Sequence, residues 1–142
     1  MIKSLSHITF IVKNIEKMAH FLSTIFDAKE IYDSAGNNFS ISDEKFFVIG
    51  DTWIAILKGE PLSERSYNHT AFKVSDSEFD EYVSRIKQLD LEIKPGRERV
   101  EGESRSVYFY DHDNHLFELH TGTLQNRLLK YSETLHTRRN VK

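Results

Sequence analysis

Apolar and polar positions follow one pattern twice along this chain. Ser4–Val12 is dense in apolar and β-branched residues and predicts a strand. Asn14 is placed to cap a helix in which Ile15, Met18, Ala19, Leu22, Ile25 and Phe26 recur at helical spacing as one buried stripe. Lys29–Ser34 predicts a further strand and Ala35–Asn38 a turn. Phe39–Ile41, Phe46–Ile49 and Trp53–Leu57 follow as short strands, divided by polar turns at Ser42–Lys45 and at Gly50 and Asp51.

Gly59–Tyr67 is mostly polar and holds Pro61, and after it the pattern restarts. His69–Val74 predicts a strand. Ser75 or Asp76 can cap a helix striped by Phe79, Tyr82, Val83, Ile86 and Leu89. Strands are expected at Leu91–Lys94, Val107–Tyr110 and Leu116–His120, with a turn at Asp111–Asn114. Thr123 can cap a last helix carrying Leu124, Leu128 and Tyr131, and the basic stretch His136–Lys142 is expected to fray. The fold class is α+β, with two paired βαβββ modules at 1–60 and 61–122, followed by a helix and tail at 123–142. A module of this size buries its sheet poorly alone, so pairing is expected.

With 142 residues the chain is one ordinary domain or two small modules sharing a core. A net charge of −3 gives no electrostatic reason to expect nucleic acid or an anionic membrane as partner. There are no cysteines, which excludes disulfides, zinc–thiolate sites and thiol nucleophiles. Neither a secretory signal nor an apolar run long enough to span a bilayer is evident, so a cytoplasmic location is expected.

The repeat also duplicates chemistry. His7-Ile-Thr-Phe-Ile-Val matches His69-Thr-Ala-Phe-Lys-Val, and Leu116-Phe-Glu118-Leu-His120 sets a carboxylate among apolar residues late in the second copy. His7, His69 and Glu118 form a candidate metal set suited to Mn²⁺, Fe²⁺, Zn²⁺, Co²⁺ or Ni²⁺. The counterpart of Glu118 falls near Ala55 or Ile56, neither of which can ligate, so coordination positions stay open for substrate or water. His20, His112, His115, His120 and His136 are not excluded by periodicity alone.

These residues carry a resemblance. The doubled pattern, with His in the first strand of each half and Glu in the last, resembles the vicinal oxygen chelate (glyoxalase) superfamily. Within it, Leu5-Ser-His7-Ile-Thr9, Tyr67-Asn-His69, the run Ser106–Glu118 and His120-Thr-Gly-Thr-Leu-Gln-Asn-Arg127 are similar to the fosfomycin-resistance proteins, nearest the FosX type that adds water to the drug. The resemblance implies a metal-dependent epoxide hydrolase, Mn²⁺ as cofactor, fosfomycin as small-molecule substrate and a homodimer whose sites combine modules of both copies, completed by domain swapping. Glu44 matches the general base. Arg97 and Arg127 match phosphonate-binding positions, Thr9, Tyr67, Ser106 and Tyr108 match hydroxyl donors, and Trp53 matches an apolar wall.

Three other readings stay open. A thiol transferase would attack the same epoxide with glutathione or bacillithiol, but Ser104 stands where the potassium loop of those relatives has a glycine, which favours hydration. A drug-sequestering module would need no metal. An extradiol dioxygenase would use the same two-His-one-carboxylate set on a catechol.

Overall fold

The computed structural model describes residues 1–37, 39–95, 97, 99–100 and 103–141. Asn38, the last residue of the turn expected at Ala35–Asn38, lies outside them. The chain forms two compact units. One comprises Met1–Ser66 with Asp111–His115, the other Tyr67–Tyr110 with Leu116–Lys142.

The first unit runs β1 (His7–Val12), α1 (Ile15–Phe26), β2 (Lys29–Asp33), β3 (Glu44–Ile49) and β4 (Thr52–Lys58). Its sheet has the order β1-β4-β3-β2, with β1 parallel to β4 and the other pairs antiparallel. Side chains of a strand alternate between faces, so register decides which residues share a surface. One face carries Phe10, Val12, Phe47, Ile54 and Ile56, all buried, and forms the core with Met18, Phe21, Leu22, Ile25 and Phe26 of α1. Asn14 caps that helix, its Oδ1 accepting from Lys17 N–H at 3.0 Å. Lys45 shares the core-side face, its Nζ lying 2.8 Å from Glu30, 3.1 Å from Glu16 and 3.5 Å from Asp33. The hydrogen bond to Glu30 holds its ammonium well above the usual lysine range, so this buried cation stays charged.

The second unit repeats the plan with β5 (His69–Lys73), a 3-10 turn (Asp76–Glu78), α2 (Phe79–Gln88), β6 (Ile93–Lys94), β7 (Ser106–Tyr110), β8 (Leu116–His120) and α3 (Leu124–Asn140). Its sheet order β5-β8-β7-β6 copies the first, again with the outer β5–β8 pair parallel. Phe79 and Ile86 of α2 are buried, as are Val107, Phe109, Phe117 and Leu119 of the sheet. Among the described residues the architecture is α+β, two four-stranded sheets with three helices. Among the described residues no helix is long and apolar enough to cross a membrane.

Several expectations are corrected. Phe39–Ile41 is not a strand; Phe39 and Ile41 are 87% and 85% exposed, because apolar composition alone supplies no pairing partner. Glu44 and Lys45, expected in a turn, open β3 by pairing with Leu57 and Ile56. The first strand begins at His7 rather than Ser4, and Leu91–Lys94 contracts to Ile93–Lys94. Ser75 makes no side-chain cap to backbone; its hydroxyl donates to Glu78 at 2.6 Å, and a 3-10 turn precedes the helix. The last helix does not fray at His136 but continues to Asn140. Its Leu124 and Leu128 are exposed.

Candidate active site

The shared register of the two sheets identifies equivalent positions. His7 pairs with Trp53 and His69 with Leu116, so the residue two further along β4, Ala55, corresponds to Glu118 of β8. Glu44 of β3 likewise corresponds to Ser106 of β7, since they pair with Leu57 and His120. Alternation then puts His7, Thr9, Trp53 and Glu44 on one face of the first sheet, opposite its helix-covered core. His69, Glu118, Ser106, Tyr108 and His120 share the corresponding face of the second.

In the second unit, His69 Nε2 lies 3.1 Å from Glu118 Oε1, and Glu118 is only 3% exposed. His69 Nδ1 lies 2.7 Å from the Tyr67 carbonyl, which can only accept, so Nδ1 carries the hydrogen. That tautomer directs the Nε2 lone pair at a carboxylate oxygen. Two acceptors at this distance call for a shared cation, either a second proton on the ring or a metal ion. The pair therefore fits a divalent metal, with the carbonyl fixing the ring as a ligand histidine requires.

The other oxygen of Glu118 is tethered. Ser106 Oγ lies 2.5 Å from Glu118 Oε2 and 2.8 Å from His120 Nδ1. One hydroxyl hydrogen goes to the carboxylate, so the Ser106 oxygen accepts from the imidazole. Burial pushes His120 down from its ordinary value, consistent with a neutral ring in that role. Ser106 is thus committed to Glu118 here, not left as an unengaged donor. Tyr67 donates to Tyr108 Oη at 3.3 Å, and burial pushes the Tyr108 phenol up, keeping it protonated.

In the first unit, the His7 ring packs at a tilt of 31° against Trp53, 4.2 Å between centroids, and Phe46 meets Trp53 edge-on at 5.1 Å. Among the described residues, the buried Trp53 indole N–H has no hydrogen-bond partner. Thr9 is exposed on the same face. Glu44 is 7% exposed and lines a cavity of about 450 Å³ together with Lys13, Lys45 and Lys58. Among the described residues no three His, Asp or Glu side chains gather as a metal cluster.

Arg97 and Arg127 both approach Glu103. Arg97 forms a two-pronged ion pair with it, Nη1 at 3.2 Å from Oε2 and Nη2 on Oε1, and Arg127 Nε lies 3.8 Å from Oε1. Arg99 Nη1 and the Tyr131 hydroxyl add contacts at 3.2 and 3.3 Å, and the Val100 N–H donates at 3.0 Å. The Arg97 guanidinium holds the Glu103 carboxyl down at about 2. Arg99 and Glu103 are absent from the residues picked out by sequence. The alternating charges of Arg97–Glu103 were the available signal, but a loop without periodicity does not say which charges meet.

The family model of the Glyoxalase/Bleomycin resistance protein/Dioxygenase superfamily matches residues 4–119. FosX of Listeria innocua, a fosfomycin resistance protein, is 61% identical over 92% of this chain and 98% of its own length. The chain belongs to the FosX family. A second member, from Mesorhizobium japonicum, is 57% identical over 95% of this chain and 97% of its own. The metallothiol transferase FosB of Staphylococcus saprophyticus stands further off, at 36% identity over 94% of this chain and 86% of its own. Among solved FosX structures, a mutant from Listeria monocytogenes complexed with Mn(II) and dihydroxypropylphosphonic acid superposes with a TM-score of 0.84. It is 56% identical, and the match covers 92% of this chain and 99% of that one. A glyoxalase-fold domain from Frankia, 20% identical with a TM-score of 0.72, shares the fold.

Proposed function

We propose that this FosX-family chain inactivates fosfomycin by adding water to its oxirane ring in an Mn²⁺-dependent reaction. The observation that carries the reading is the His69–Glu118 pair, two acceptors 3.1 Å apart in a fixed tautomer that a cation would join. The molecule bound to the Listeria monocytogenes relative supports it, because a dihydroxypropylphosphonate is the diol that water addition to a propyl epoxide phosphonate yields.

His7, His69 and Glu118 would hold the metal. When bound, Mn²⁺ supplies Lewis acidity toward the oxirane oxygen. Arg97 and Arg127 bind the phosphonate through charge-assisted hydrogen bonds, with Thr9, Tyr67, Ser106 and Tyr108 as nearby hydroxyls and Trp53 as an apolar wall. Glu44 takes a proton from the attacking water as its oxygen bonds to the epoxide carbon. The carbon–oxygen bond of the ring breaks, and the freed oxygen is protonated to give the vicinal diol. The family resemblance further implies a cytoplasmic homodimer in which His7 of one copy serves the His69 and Glu118 of the other.

Product mass is the decisive measurement. Mn²⁺-loaded protein with fosfomycin and no thiol should give the diol, and Glu44→Gln should lower kcat about 100-fold or more without changing Mn²⁺ affinity. Turnover only with glutathione or bacillithiol would assign the chain to thiol transfer, and tight binding without turnover to sequestration.

A further inference from the structure

We propose that Glu103 is a positioning residue, a buried internal anion that assembles Arg97, Arg99 and Arg127 into a receptor for an oxyanion, and that Arg99 is a third contact to that anion. The inference rests on the fosfomycin reading only for the identity of the anion. The arrangement itself is in the structure.

The Glu103 side chain is 1% exposed, and it receives Arg97 through both oxygens, Arg99 at 3.2 Å, Arg127 at 3.8 Å, Tyr131 at 3.3 Å and the Val100 N–H at 3.0 Å. Long cationic side chains in a loop and on a helix would otherwise sample many rotamers and repel one another. One carboxylate at their centre holds Arg97 and Arg99 by hydrogen bonds and keeps Arg127 within ion-pair distance.

The receptor also has an open donor. Among the described residues, Arg99 Nη2 is buried and has no hydrogen-bond partner, its ion-pair contact being Glu118 Oε2 at 3.8 Å, beyond hydrogen-bond reach. A buried charged donor without an acceptor is costly unless something completes it, and an anion oxygen would. Arg99 therefore spans from the internal anion toward the carboxylate proposed to hold the metal. An anion engaged there would have its charge next to the reactive centre.

The same contacts could describe an occupied site, with Glu103 standing where the substrate anion belongs. The two cases predict opposite signs. A positioning residue makes Glu103→Gln bind anions worse, because Gln keeps the shape but loses the charge that orders the arginines. A competitor makes it bind them better.

The test is titration of the full chain with inorganic phosphate by calorimetry, with and without Mn²⁺, alongside fosfomycin kinetics. Glu103→Gln and Arg99→Gln should each weaken phosphate binding about tenfold or more, raise KM for fosfomycin by a similar factor and change kcat less than about threefold. Arg99→Lys should rescue only part of the loss, since a compact ammonium lacks the planar fork that reaches from Glu103 toward a bound anion. Unchanged or tighter phosphate binding in Glu103→Gln would overturn the proposal. Should that variant fail to fold, unchanged phosphate affinity in Arg99→Gln would overturn it equally. Weaker phosphate binding in a protein that does not turn over fosfomycin would sustain this inference and remove the fosfomycin reading.

Discussion

Ser106 shows how much one hydroxyl can decide. It donates to Glu118 and accepts from His120, so Ser106→Ala would remove the hydroxyl that tethers Glu118 Oε2 and the nearest acceptor of the half-buried imidazole N–H. Outer-shell losses of this kind typically cost 10- to 100-fold in metal affinity. Mn²⁺ titration followed by electron paramagnetic resonance should show a loss of about tenfold for Ser106→Ala, with Ser106→Thr close to the parent. Glu103 makes a different residue-scale prediction. Its carboxyl is lowered from 4.5 to about 2 in the folded protein, chiefly by Arg97. A depressed carboxylate contributes stability that is present above the unfolded value and disappears as pH falls through the folded one. Urea unfolding of the parent should therefore weaken steeply between about pH 4.5 and pH 2. Glu103→Gln, less stable at neutral pH, should lose less over that window.

At the scale of elements, the strands and helices that sequence makes legible are those whose pattern is enforced by burial. The α1 stripe is readable because Met18, Ala19, Leu22, Ile25 and Phe26 all enter the core, and its start is readable because Asn14 can reach Lys17 N–H. Asn14→Ala should cost about 1 kcal/mol in equilibrium unfolding. Phe39 and Ile41 mislead because strand formation needs a neighbour, and Glu44 misleads because a charged residue at a strand edge looks like a turn. His7, His69 and Glu118 stand out by repetition, whereas Arg99 and Glu103 owe their partnership to tertiary contact and leave no periodic trace. The β8–α3 connection is tighter still. A Cβ on Gly122 would lie 1.9 Å from Ser104 Oγ and 2.9 Å from His120 Nε2. Gly122→Ala should lower the melting temperature by several degrees, and adding Ser104→Gly should recover most of it, because the hydroxyl is the nearer obstacle.

For the whole molecule, the question is where a complete ligand set comes from. His7 belongs to one compact unit and the His69–Glu118 pair to the other. If copies exchange modules in a homodimer, mixing His7→Ala with His69→Ala protein should regenerate activity that neither has alone. Half of randomly formed dimers would be mixed, and each would carry one intact site, so about a quarter of sites should return. Light scattering fixes the dimer, and specific activity after mixing checks the count; no recovery would place all three ligands in a single copy.

The matched registers of the two sheets have a consequence for how such a chain can change. Ala55 and Glu118 occupy one position in two copies of a plan, as do Glu44 and Ser106. A residue altered at one member of such a pair leaves the other untouched, so reactivity can be revised on one sheet while its twin keeps the backbone template.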